Sequence, residues 1–150
     1  MKIHLKKFNE IQNLLQLKLG AKVKVEEENG STFLSIKDSN LWLSVDHSEF
    51  TVGFGLNHTH FSEEYGNLQK GIRQVFDLLT SEVRITKYIK GETVYKAITE
   101  IKTSDSNIES LGITGILIYP FWKKTRIETS YFERIINKDD LIPEIDLILS

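Results

Sequence analysis

The 150-residue sequence predicts an α+β fold in which helices lie on an antiparallel sheet. Three observations carry that prediction. Apolar residues recur at helical spacing near the N-terminus and again beyond residue 62. Between those stretches the pattern changes to period two. Within the period-two region, Glu28-Asn29-Gly30-Ser31 places Asn-Gly, the strongest short hairpin signal, between two alternating segments.

Leu5–Leu19 is expected to be helical, because Phe8, Ile11 and Leu15 share a face that Leu14 widens. Gly20 sits where a C-cap residue is wanted. Val23 and Val25 then alternate with lysines and Glu26, as in a strand with one wet face. The return strand has Thr32, Leu34 and Ile36 on one side and Phe33, Ser35 and Lys37 on the other. After the turn Asp38-Ser39-Asn40, Leu41, Leu43 and Val45 oppose Trp42, Ser44 and Asp46. His47-Ser48-Glu49 turns into Phe50, Val52 and Phe54, opposite Thr51, Gly53 and Gly55. These segments make a four-stranded antiparallel meander.

A second helix is expected from Ser62, whose hydroxyl can accept an orphan amide, while Glu63 and Glu64 complement the positive helix end. Its stripe is Tyr65, Leu68, Ile72, Val75, Phe76 and Leu79. Gly66 and Gly71 each weaken such a helix by about 1 kcal/mol relative to Ala, which points to close packing on the sheet. Val83, Ile85 and Ile89 alternate with Arg84, Thr86 and Tyr88, and Lys90-Gly91-Glu92 turns into a strand over Thr93–Ile101. Lys102–Ser110 reads as a loop. Leu111–Tyr119, apolar almost throughout, reads as a central strand buried on both faces, ended by Pro120. Thr125–Phe132 reads as another strand. Asp139–Leu149 reads as a short closing helix, with Leu141, Ile145, Ile148 and Leu149 inward and Pro143 in its first turn. No linker, repeat or low-complexity tract interrupts the chain, so 1–150 reads as a single domain.

Composition excludes several functions. With 40% hydrophobic and 27% charged residues, the chain has the proportions of a soluble globular domain. The absence of cysteine excludes a disulfide scaffold, a thiolate zinc site and a cysteine nucleophile. No apolar run approaches the roughly 20 residues of a membrane span. The lysine-rich Met1–Phe8 leads into polar Asn9, Glu10, Gln12 and Asn13 rather than the apolar core of a signal peptide. A net charge of -2 argues against a general nucleic-acid binder. The expectation is a cytoplasmic protein with neither a nucleic-acid nor a membrane partner.

The candidate chemistry is sparse. His58 and His60 fall on one side of a strand, so both imidazoles can reach one metal, with His47, Glu63 or Glu64 as a third ligand. The plainer reading gives both histidines structural or surface roles. Gly53 and Gly55 leave one face bare, either as a groove for a ligand or as a bed for the second helix. No Gly-x-Ser-x-Gly elbow, phosphate loop or dinucleotide fingerprint occurs, and the adjacent carboxylates sit at turns and helix starts. No catalytic residue, enzymatic activity or cofactor is therefore expected.

Charge placement says more than net charge. Residues 1–24 carry +5, whereas residues 25–64 carry -7. Turns gathered at one end of the sheet would make an acidic patch suited to a basic partner. The candidate partner-binding residues are Glu26, Glu27, Glu28, Trp42, Asp46, Glu49, Glu63 and Glu64. Phe33 and Phe121-Trp122 are further aromatic anchors.

Phe50–Tyr88 combines a Gly53-Phe54-Gly55 strand, His58-Thr59-His60-Phe61, an acidic helix start and an amphipathic helix. An Arg84–Tyr88 strand then leads into Lys90-Gly91. In that combination the segment resembles small bacterial proteins of the immunity class that accompany polymorphic or contact-dependent toxins. The resemblance implies a cytoplasmic, non-enzymatic inhibitor that occludes a toxin, and it brings no catalytic motif. The residues themselves leave open a protein-binding module, a small-ligand or metal-binding domain (conceivably enzymatic) centred on His58 and His60, and a structural subunit able to form homo-oligomers.

Overall fold

Helix α1 spans Ile3–Leu19, beginning two residues before the predicted start. It buries His4, Phe8, Ile11, Leu14 and Leu15, and Gly20, at φ 58°, closes it by donating its amide to Gln16 O. The computed structural model describes residues 1–102 and 108–150, and the chain is α+β with antiparallel sheets. Its backbone divides into two units, Met1–Leu79 with Ile136–Ser150, and Thr80–Ile135. Each has its own antiparallel sheet.

The first unit holds a meander of five strands in sequence order: β1 (Val23–Glu28), β2 (Ser31–Ile36), β3 (Leu41–Val45), β4 (Phe50–Phe54) and β5 (Asn57–Phe61). One strand more than predicted forms because Gly55 (φ 60°) and Leu56 close a two-residue hairpin that returns His58–Phe61 along β4. Asn29 and Gly30 both take positive φ, as the Asn-Gly hairpin requires. The inner face carries Leu34, Ile36, Leu41, Leu43, Val45, Phe50, Val52, Phe54 and Phe61, all buried. α1 packs there, with Phe8 edge-on to Phe50 at 5.9 Å. Each such side chain contributes about 1.5 to 3 kcal/mol by leaving water.

Helix α2 spans Leu68–Thr80, six residues later than the predicted start at Ser62. Ser62 Oγ does accept an amide, from Tyr65, but it caps a separate turn. Gly66, at φ 68°, breaks that turn from the helix. Tyr65 therefore leaves the predicted apolar stripe and is exposed. Gly71 meets the ring of Phe61. A 3₁₀ turn, Lys138–Asp140, precedes helix α3 (Ile142–Leu149), whose Pro143 sits in the first turn. Leu141 and Ile148 are buried, and Lys7 Nζ donates to Ile148 O at 2.6 Å.

The second unit is a four-stranded sheet built from β6 (Glu82–Lys90), β7 (Thr93–Lys102), β8 (Ile108–Gly115) and β9 (Thr125–Phe132), in the order β8-β7-β6-β9. Val83, Ile85, Thr99 and Ile101 share one buried face. Of the expected loop Lys102–Ser110, residues 103–107 lie outside the described residues, while Ile108–Ser110 belong to β8. The central, doubly buried strand expected at Leu111–Tyr119 is corrected. β8 is an edge strand, it ends at Gly115, and Ile113, Ile116, Leu117 and Ile118 are exposed. An unbroken apolar run signals burial only where neighbours cover both sides, and an edge strand lacks one neighbour. Among the described residues, no helix is long and apolar enough to cross a membrane.

Candidate functional site

The meander's register decides where its polar residues meet. Glu27↔Thr32, Thr32↔Val45, Val45↔Phe50 and Phe50↔Phe61 form one row across all five strands. The turns beyond that row carry Glu28, Asp46, His47, Glu49, Glu63 and Glu64, so the acidic turns do gather at one end.

They are not all available to a partner. Glu63 Oε1 accepts from the Ile3 amide at 3.0 Å, and its Oε2 accepts from the His4 amide at 3.2 Å. His4 Nδ1 lies 2.7 Å from the same Oε2. Glu63 thus caps α1 from a distance, because Lys2 offers no side-chain cap and the first turn has no acid. Burial opposes the charged form, but the Glu63 amide and the hydrogen bonds and charge of His4 outweigh it, holding the carboxyl at about 2. Asp46 is committed locally. Its Oδ1 accepts from the Ser48 and Glu49 amides at 2.7 and 2.9 Å, and its carbonyl faces His4 Nε2 at 3.0 Å. Glu64 pairs with Lys2 at 3.4 Å on the surface.

The outer face of the meander carries the remaining candidates. Register puts Glu26 beside Phe33, Phe33 beside Ser44, Ser35 beside Trp42, Trp42 beside Gly53 and Gly53 beside His58. Glu26, Glu27, Glu28, Phe33, Ser35 and Trp42 line a shallow concavity. Lys24 pairs with Glu26 at 2.9 Å, an exposed contact worth about 0 to 1 kcal/mol. Among the described residues, Glu27 and Glu28 enter no ion pair. Trp42 is half-buried because its indole lies over Gly53, where a Cβ would overlap it, and its Nε1 donates to Gly55 O at 2.9 Å. The bare glycine face is therefore filled by Trp42 itself, rather than by α2 or an open groove.

Beside this concavity, His58 lies 5.8 Å from the Trp42 ring and 5.2 Å from the His60 ring. His60 Nδ1 stands 2.7 Å from Glu49 Oε1 and 3.0 Å from Thr51 Oγ1. Tyr65 completes the cluster, its hydroxyl donating to Glu49 Oε2 at 3.1 Å. That hydrogen bond and the Glu49 charge push the Tyr65 phenol above its ordinary value. For the metal reading, no group of three or more His, Asp or Glu able to hold an ion occurs among the described residues. His47 is exposed on its turn, and Glu63 is engaged by His4.

The sequence reading missed His4, which looks like one more surface residue in a lysine-rich stretch, and Tyr65, which falls at helical spacing. Phe33, Trp42 and Glu26–Glu28 were legible, because period-two alternation assigns them faces and a short turn assigns their end. In the second unit, Arg84 and Glu100 pair at 3.0 Å in a smaller concavity beside Ile108 and Tyr131 and satisfy one another. The chain matches no family model, no curated protein and no solved structure.

Proposed function

We propose that this chain is a bacterial, cytoplasmic, non-enzymatic protein-binding module of the immunity type, neutralising a toxin by direct contact. The observation supporting it is the concavity lined by Glu26, Glu27, Glu28, Phe33 and Trp42, in which Glu26 and Glu28 share the outer face of the meander with the two aromatic residues. Aromatic side chains supply anchoring area, while the carboxylates select a basic partner and speed encounter. Glu49 and Glu64 extend the same charge along the turn end, whereas Glu63 and Asp46 are structural and stand outside the contact surface.

The partner is a basic protein domain, and a toxin encoded beside the gene is the one to test. Calorimetry and stopped-flow mixing of the purified pair should give binding whose association rate falls steeply with salt. Glu27→Lys with Glu28→Lys should slow association by at least about tenfold, since charge reversal turns attraction into repulsion. Trp42→Ala should act mainly on dissociation. Failure to bind or inhibit that toxin sinks the proposal, as does tight binding indifferent to all three substitutions.

A further inference from the structure

The most apolar stretch of the sequence, Leu111–Trp122, is also among the most exposed. Leu117 is 99% exposed, Ile118 92%, Phe121 72% and Trp122 73%. Soluble proteins rarely leave such a contiguous apolar patch in water unless something binds it. Topology explains the exposure. The strand order β8-β7-β6-β9 carries the β8–β9 connection across the ends of β7 and β6, beyond the cover of the sheet.

That connection is pinned. Ile116 N–H donates to Tyr95 O at 3.0 Å, and Tyr119 stacks on Tyr95 with centroids 4.6 Å apart. Phe121 N–H donates to Tyr119 O at 2.8 Å, Lys123 N–H to Pro120 O at 3.0 Å, and Lys90 Nζ to Lys123 O at 3.1 Å. Tyr119 and Pro120 are half-buried. Leu117-Ile118 before them in the chain and Phe121-Trp122 after them are left as two exposed apolar prongs, the second pair edge to face at 5.3 Å.

Charge around the prongs is one-sided. Lys90, Lys96, Lys123, Lys124 and Arg126 lie on the loop and the adjoining strand ends, against Glu92 and Glu128. Glu128 is taken by Arg126 at 3.2 Å. Lys90 and Lys96 lie over Tyr95 and Tyr88 at 5.7 and 5.1 Å, so the cations are interleaved with the aromatic cluster.

We infer that this loop is a docking surface for an anionic lipid bilayer. Leu117, Ile118 and Phe121 enter the boundary of the acyl region, Trp122 sits at headgroup level, and Lys90, Lys123 and Lys124 meet lipid phosphates. The bilayer is a surface in this inference, and among the described residues no helix is long and apolar enough to cross it. A nucleic acid would engage the same cations and aromatic rings, yet bases gain nothing from Leu117 and Ile118, which hydrocarbon rewards. A second copy of the chain joined through the same loop would set these cations against themselves. The acidic face of the first unit plays no part.

The full chain carrying Trp42→Phe makes Trp122 its sole tryptophan. Titration with vesicles of mixed phosphatidylcholine and phosphatidylglycerol should shift Trp122 emission to the blue. Co-flotation of the unsubstituted chain provides a readout independent of that substitution. Each lysine near an anionic surface multiplies binding by roughly five, so vesicles of phosphatidylcholine alone should bind at least about tenfold more weakly. Added salt should release the chain. Leu117→Ser with Ile118→Ser should cut partitioning by at least about tenfold with circular dichroism unchanged. Lys123→Gln with Lys124→Gln should cut the preference for anionic lipid by at least about tenfold. The inference is overturned by the absence of both emission shift and flotation, or by binding that neither pair of substitutions weakens. It is equally overturned if a single-stranded oligonucleotide, or rising protein concentration alone, produces the Trp122 shift and vesicles do not.

Discussion

Glu63 does from a distance what a capping residue does locally. The amides of Ile3 and His4 are orphan donors at the start of α1, and the carboxylate meets both while pairing with the buried His4 ring. Glu63→Gln retains one acceptor and loses the charge, so it should cost about 1 to 2 kcal/mol in urea denaturation near neutral pH. The pH dependence has a definite sign. In the folded chain the carboxyl titrates at about 2, and in the unfolded chain near the ordinary value of about 4.3. The added stability is therefore fully present above the unfolded value and is lost as pH falls towards 2. The gap between wild type and Glu63→Gln should be wide at neutral pH and close on acidification, as unfolding curves at stepped pH will measure. Tyr65 offers a second check at this scale. Its hydroxyl donates to Glu49, which favours the protonated phenol, so ultraviolet titration should find one tyrosine ionising late. Glu49→Gln should bring it back down towards the ordinary phenol value. Neither contact was legible in the sequence, because Glu63 and His4 stand 59 residues apart and Tyr65 and Glu49 stand 16 apart. Local pattern carries no information about such pairs.

At the scale of elements, periodicity located four of the five strands of the meander and both ends of β9, and missed β5. It failed where a local turn competed with a helix. Ser62–Gly66 has the composition of a helix start, yet Gly66 in the left-handed region stops propagation and α2 nucleates at Leu68. Gly71 then packs on Phe61, where a Cβ would stand 2.5 Å from the ring Cγ. Gly71→Ala should therefore destabilise the chain by about 1 to 3 kcal/mol, despite the roughly 1 kcal/mol that alanine contributes as a helix former. Thermal unfolding monitored at the helical band will show it, and stabilisation would mean that α2 can move away from β5. The same reasoning explains β8. Leu111–Tyr119 has the composition of an interior strand, but strand order is a non-local property and places it at an edge.

For the whole molecule, the decisive contact is small. Ile136 N–H donates to Leu79 O at 2.9 Å, so the chain leaves the first unit and re-enters it at nearly the same point. A chain in which Thr80–Ile135 is replaced by a short Gly-Ser linker should keep the five-stranded meander with α1 and α3 and unfold in one cooperative transition. Loss of that transition in calorimetry would show that the first unit depends on the second. Sequence alone determined the α+β class, the antiparallel pairing of neighbouring strands in the meander, the division of their side chains into two opposed sets, and the concentration of acid in its turns. Each follows from side-chain spacing over a few residues, the range over which helix and strand periods act. Only the tertiary structure decided which acids remain for a partner, which strand lies at an edge, and which apolar residues are left in water. Those outcomes depend on residues far apart in the chain, where burial and register select neighbours that no local pattern names.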